Sequence, residues 1–167
     1  MGAREVDPAR LAAAVDHVEI SRLQTAYADV VTRRAWAELA ELFLPEAKVE
    51  IDRVTAEPLV LVGPERVGGF ISGAIERFEF FEFVILNSHI DLSRSHDDVA
   101  GARIFMQELR QDAEGGQWTD AYGVYRDRYE RVDGRWWFAG RRYRSLARTN
   151  APNHVMPFPA DLTLDLS

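Results

Sequence analysis

The chain carries a small set of side chains suited to moving a proton and holding the negative charge that results. Tyr27 falls in phase with an apolar helical stripe, where a phenol can donate to a carbonyl or a developing oxyanion. Arg103 sits among apolar residues in VAGARIFMQ and would stay protonated while binding a carboxylate or an enolate. Asp120, near a strand end, is usable as acid or base if an apolar pocket raises its pKa. His89 is the one histidine inside a clear strand, and imidazole titrates nearest neutrality. Asp127, in YRDRY, reads instead as a structural partner of Arg141 or another strand arginine, and Glu108 reaches a pocket only if the register differs by one residue. His17 and His96 read as surface residues, and His154 reaches a pocket mouth only if the tail folds over it.

Positioning these groups falls to two kinds of element. Asp16 followed by Glu19 fits a capping-box variant, and Val18, Ile20, Leu23, Tyr27, Val30 and Val31 then recur at helical spacing. Trp36, Leu39, Leu42 and Phe43 form a second stripe after a bend near residues 33–35, and Pro45 is expected to end this helix. KVEID (48–52) and LVLVG (59–63) suggest short strands. Gly63-Pro64 opens another helix, with Gly68-Gly69 allowing close packing on a sheet. Long β-rich runs follow at 81–92, 99–112, 118–132 and 135–149, joined by hairpin signals at Glu114-Gly115-Gly116 and Asp133-Gly134. Helices first and a meander later describe an α+β domain. Trp136 and Phe138 in one phase, with Trp137 and Tyr143 in the other, give the last strand two apolar faces. The second face is expected to meet another subunit, making a homodimer, or to lie under the proline-containing tail from Asn150.

Composition narrows the function classes. At 167 residues the chain fits one domain, read as 1–167 with 150–167 an extension covering the pocket or the sheet. The net charge of −7 argues against a nucleic-acid binder, which needs a basic face. With no cysteine, thiolate chemistry is excluded. No run is long and apolar enough for a membrane span, and the N-terminus lacks the pattern of a signal peptide, so a cytoplasmic location is expected. No HExxH, GxGxxG or GxxxxGK[ST] pattern occurs, so neither a metal nor a nucleotide cofactor is expected. Arginines crowd residues 126–148, so a pocket there would be neutral or cationic inside an acidic protein and would suit an anionic or enolate-forming ligand.

YADVVTRRAWAELAELFLPEAKVEID (27–52), GPERVGGF (63–70) and GVYRDRYERVDGRWWFAGRRY (123–143) resemble blocks of the SnoaL-like family, within the nuclear transport factor 2-like superfamily. The resemblance implies a conical α+β barrel, with N-terminal helices packed in the concave face of a strongly bent, mainly antiparallel sheet and an apolar pocket in its mouth. It also implies that Val31, Thr32, Trp36 and Phe70 line that pocket from the helices, and Ile51, Val84, Phe105 and Tyr125 from the strands. The acid–base positions of scytalone dehydratase-like members fall on Thr32, Val84 and Arg103, none of which keeps the group. The steroid isomerase tyrosine falls on Tyr27, but its carboxylate base falls on Ile51, with Asp52 adjacent and expected on the opposite face. The epoxide hydrolase arginine fits Arg103, while Phe105 replaces the carboxylate. The resemblance places Arg103 and Val84 inward; His89 then faces away unless a bulge intervenes. The expected function is a cofactor-independent cyclase, isomerase or dehydratase acting on a hydrophobic ring compound. The alternative is a non-catalytic module that binds a lipophilic ligand or assembles as a dimer.

Overall fold

The computed structural model describes residues 7–53, 56–149 and 154–167. The start of the N-terminal reading and the beginning of the tail, at 150–153, lie outside the described residues.

Helix α1 spans Pro8–Thr32, earlier than the Asp16 start expected from the capping pattern. Asp7 accepts from the Ala9 amide at 3.0 Å, proline takes the first helical position, and the alanine-rich turn that follows favours helix. Asp16 is therefore mid-helix and buried, accepting from Trp136 Nε1 at 3.0 Å and Arg131 Nη1 at 2.7 Å. Ile20, Leu23, Gln24, Tyr27, Val30 and Val31 form the buried face. The helix closes in a Schellman arrangement: the Ala35 amide donates to the Val30 carbonyl at 2.9 Å, with Arg34 left-handed at φ 58°. A short 3-10 helix, Trp36–Glu41, follows the expected bend.

Pro45 does not end a helix but lies inside strand β1, Phe43–Ile51. The ladder to its parallel neighbour breaks between Phe43 and Lys48, so proline's missing donor breaks no pairing there. Strand β2, Leu59–Val62, pairs antiparallel with β1. Gly63, at φ 84°, then turns the chain into helix α2, Pro64–Ile75; a Cβ on Gly63 would stand 2.9 Å from the Pro45 carbonyl oxygen. Gly68 packs against Trp36 and Leu39 of the 3-10 helix rather than against the sheet, and a Cβ on Gly69 would meet nothing within 4 Å among the described residues.

The long strands are β3 (Phe78–Asp91), β4 (Val99–Asp112), β5 (Trp118–Val132) and β6 (Arg135–Arg148). Asp133 and Gly134, at φ 51° and 77°, make the tight β5–β6 turn. A two-residue strand β7, His154–Val155, pairs with β6. The strand order is β2-β1-β6-β5-β4-β3, in a strongly curled, open sheet that is antiparallel except for the β1–β6 pair. The fold is thus α+β, with α1 in the concave face.

Bulges decide which residues face that core. A register shift in β3 falls between Ile85 and Asn87, and two others fall where β5 meets β6. They reset the side-chain phase, so Trp136, Phe138, Arg141, Tyr143, Ser145 and Arg148 share the inner face of β6 despite their uneven spacing. On β4 the inner face is Ala100, Ala102, Ile104 and Met106, continuing to Glu108 and Arg110.

The outer face of β4–β6 carries the tail. Phe158 stacks on Phe105 with ring centres 6.3 Å apart, Arg103 Nη1 donates to the Leu162 carbonyl at 3.3 Å, and Leu164 and Leu166 pack on Gly101.

Candidate functional site

A cavity of about 330 Å³ opens where α2 and the C-terminal half of α1 meet the ends of β1 and β4–β6. Its apolar wall comes from Val67, Phe70 and Ile71 of α2 with Val49 and Ile51 of β1. Its polar groups are Tyr27, Asp52, Glu108, Arg110, Tyr125, Tyr143 and Arg148, with Arg53 and Arg77 toward solvent.

Strand register explains this grouping. Glu108 pairs with Ala121, and Ala121 pairs with Arg148, so the carboxylate and the guanidinium flank an alanine on one row of the inner face. Tyr125 and Tyr143 are direct cross-strand partners, with rings 5.1 Å apart. Tyr27 reaches them from α1, edge-on to Phe83 at 5.4 Å and to Tyr125 at 6.4 Å. The Glu108 side chain is 16% exposed. Its Oε2 accepts from Arg110 Nε at 3.0 Å and also from Arg110 Nη2, whereas Oε1 has no protein partner among the described residues. Asp52 Oδ2 accepts from the Ser145 amide at 3.2 Å, which turns this carboxylate back toward β6.

Burial raises the pKa of Tyr27, opposed by the nearby Arg141 charge. Burial likewise raises Tyr125 well above its ordinary value, reinforced by Tyr27, and raises Tyr143, reinforced by Glu108. All three phenols are therefore protonated at neutral pH.

Behind the tyrosines lies a buried relay. Arg141 Nε and Nη2 donate to Asp127 Oδ1 and Oδ2 at 2.7 and 2.8 Å. The Tyr129 hydroxyl donates to Asp127 Oδ2 at 2.9 Å, and Gln24 Nε2 donates to the Tyr129 oxygen at 3.0 Å. Burial alone would oppose the Arg141 charge, but Asp127 outweighs it and the pKa is raised. The guanidinium stands 4.0 Å over the Tyr27 ring and 4.2 Å over Tyr125, so it braces two cavity residues from behind. Asp127 thus takes the structural partnership with Arg141 expected of it.

Among the residues expected to form the site, Tyr27, Ile51, Phe70 and Tyr125 line the cavity. Asp52, expected opposite Ile51, lines it too, because the chain leaves the strand there. Val31 is packed in the core, Thr32 Oγ1 accepts from the Phe83 amide at 3.0 Å, and Trp36 packs beside α2. The rest lie on the far side of the sheet. Arg103 and Phe105 are under the tail, and Val84 pairs with Gln107 on that same outer face. Asp120 accepts from Gln107 Nε2 at 2.9 Å there, outside the cavity. A bulge does reset the phase before His89 and brings it onto the face of Val84 and Arg103, but this is the outer face, and His89 is exposed beside Arg103. The inward placement of β4 by resemblance is off by one residue, which swaps the whole strand's faces. The signal for the true phase is the alternation of Ala100, Ala102, Ile104 and Met106, all fully buried. Counting on from them reaches Glu108 and Arg110. Among the described residues no three acidic or histidine side chains gather as a metal site, and no helix is long and apolar enough to cross a membrane.

The structure resembles a proposed scytalone dehydratase of Novosphingobium aromaticivorans, with a TM-score of 0.71 and 22% identity over 82% of this chain and 88% of that one. It also resembles the hexachlorocyclohexane dehydrochlorinase LinA type 2, with a TM-score of 0.74 and 18% identity over 93% and 99%. LinA type 3 of Novosphingobium barchaimii gives 0.72 and 20% over the same shares. At these identities the likeness is one of fold. Comparison with curated proteins gave no match. The SnoaL-like domain family matches residues 12–142, most of the chain and every element that builds the cavity except the end of β6, and this protein belongs to that family.

Proposed function

We propose that the cavity is the active site of a small-molecule enzyme that moves a proton with its own side chains, on a hydrophobic ring compound. The observation that carries this reading is Glu108: a carboxylate anchored through one oxygen, with the other unpartnered among the described residues, in an aromatic-walled cavity beside three protonated phenols. Glu108 Oε1 takes a proton from carbon next to a carbonyl. The C–H electron pair passes to the carbonyl oxygen, and a phenol of Tyr27, Tyr125 or Tyr143 donates to the enolate oxygen. The enolate then regains the proton at another carbon, closes a ring, or expels a leaving group. The dehydratase and dehydrochlorinase names of the structural neighbours favour the last outcome.

The test is hydrogen–deuterium exchange into ring ketones such as 2-tetralone in D₂O, followed by NMR. Exchange above the buffer rate that falls in Glu108→Gln supports the reading. Exchange at the buffer rate, or equal rates for wild type and Glu108→Gln, refutes it.

The Arg110 pairing also suits a second reading, a binding module for a lipophilic ligand, since it holds the carboxylate as a fixed wall. Affinity without exchange would decide for it. A homodimer is proposed through the outer face of β3–β5, where the Phe80 and Trp118 rings lie 5.3 Å apart at a tilt of 51° and Trp118 is 59% exposed; light scattering on the purified chain gives the mass.

A further inference from the structure

We infer that the compound bound in this cavity is an aromatic carboxylate, and that Arg148 is the group that receives its carboxylate. This rests on the cavity being the active site and adds the substrate class.

The cavity's charge is opposite to that of the protein. Arg53, Arg77, Arg110 and Arg148 contribute to its lining against Asp52 and Glu108 alone, in a chain of net charge −7. Three of these arginines are engaged within the fold: Arg110 holds Glu108, Arg77 stands 3.6 Å from Asp112, and Arg53 Nε donates to the Glu57 carbonyl at 2.8 Å. Arg148 is different. Its Nε is buried and has no hydrogen-bond partner, and it forms no ion pair among the described residues. A guanidinium without a protein partner is costly to bury, and a ligand carboxylate at the part of it that lines the cavity would offset that cost. A guanidinium fork matches a carboxylate with two parallel hydrogen bonds.

Position fixes the rest of the molecule. Arg148 and Glu108 lie on the same row with β5 between them, so their backbones are two strand spacings apart, about 10 Å. Phe70 from α2 and the Tyr125 and Tyr143 rings wall the space between. An aromatic ring fits this gap, with its carboxylate at Arg148 and the carbon that loses a proton at Glu108. Tyr143, affected electrostatically by both Glu108 and Arg148, lies alongside.

The test uses 2-naphthoate and its neutral counterpart 2-naphthamide as probes, with calorimetry on the full chain. The expected result is naphthoate bound at least ~10-fold more tightly than the amide in the wild type. Arg148→Gln should erase that preference, Arg148→Lys should keep part of it, and Arg126→Gln on the outer face should leave it intact. Because Arg148→Gln removes an unpaired buried donor, its melting temperature should not fall, and this serves as the folding control. No naphthoate binding at millimolar concentration, equal affinity for the two probes, or a preference that survives Arg148→Gln would each overturn the inference. Glu108→Gln separates the two readings. It should retain the naphthoate preference, so a preference through Arg148 together with unchanged deuterium exchange in Glu108→Gln would leave the carboxylate site standing and remove the catalytic one.

Discussion

Arg141 grips Asp127 through two parallel hydrogen bonds, at 2.7 and 2.8 Å, where neither side chain is more than 2% exposed. The pair bridges β5 and β6 at the point where the sheet supports Tyr27 and Tyr125. Its value lies in holding the rings of the cavity in place.

Removing one member strands the other charge in the core. Asp127→Asn should therefore cost about 3–5 kcal/mol of folding stability, measured by urea unfolding. Replacing both, with Asp127→Leu and Arg141→Met, should cost less than the single change, since no buried charge remains. A single variant within about 1 kcal/mol of the wild type would show that water reaches the pair.

The tyrosines predict an alkaline limit. Burial raises Tyr27, Tyr125 and Tyr129 above the ordinary phenol value of 10.0, so the folded chain holds protons that the unfolded chain releases. Stability from this source is complete below pH 10 and declines as pH rises toward the folded values. Urea midpoints at pH 8, 9, 10 and 11 should hold over the first steps and fall mainly across the last one. Tyr125→Phe should show a shallower fall than the wild type.

How far the sequence reveals this molecule differs between fold and site. Strands β4 and β5 are legible to the residue, because period-two apolar runs end at Gly115-Gly116 and Asp133-Gly134, where backbones must turn. Asp16 misleads because a buried mid-helix acid bonded to Trp136 carries the same letters as a cap. The faces are harder to read. Phe105 and Leu109 on the outer side of β4 are as apolar as Ile104 and Met106 on the inner side, because the tail shelters Phe105. Glu108 and Arg110 look like any charged strand end. Only the curl of the sheet turns that end over a cavity.

Glycine 123 should be intolerant of any side chain. A Cβ there would stand 2.2 Å from Tyr143 Cε2 and 2.9 Å from its hydroxyl. Gly123→Ala must move the Tyr143 ring off β5, at a cost of about 1–3 kcal/mol. The displaced ring would narrow the cavity. Weaker binding of 2-naphthoate together with a lowered urea midpoint is the expected pair of outcomes; unchanged binding would mean that Tyr143 does not shape the site.

Glu108→Gln should lower proton exchange by about 10²–10⁴-fold while leaving the fold intact, since glutamine keeps the shape of the side chain. Circular dichroism and the melting temperature check the second half of that statement. Arg110→Gln frees Oε2 from its anchor, so it should reduce exchange less than the loss of the carboxylate itself.

The shift in β3 between Ile85 and Asn87 has a consequence for how such a chain can change. An irregularity of this kind absorbs a phase change locally. A one-residue insertion or deletion beside it can be taken up there, sparing the pairing on the other side. The half from Phe78 to Ile85, which faces the cavity end of β4, and the half from Asn87 to Asp91, which runs beside the tail-covered part, are thus separately adjustable lengths of one strand. A lineage could remodel what the pocket accepts without disturbing the seat of the tail, and trim or extend the tail without altering the pocket.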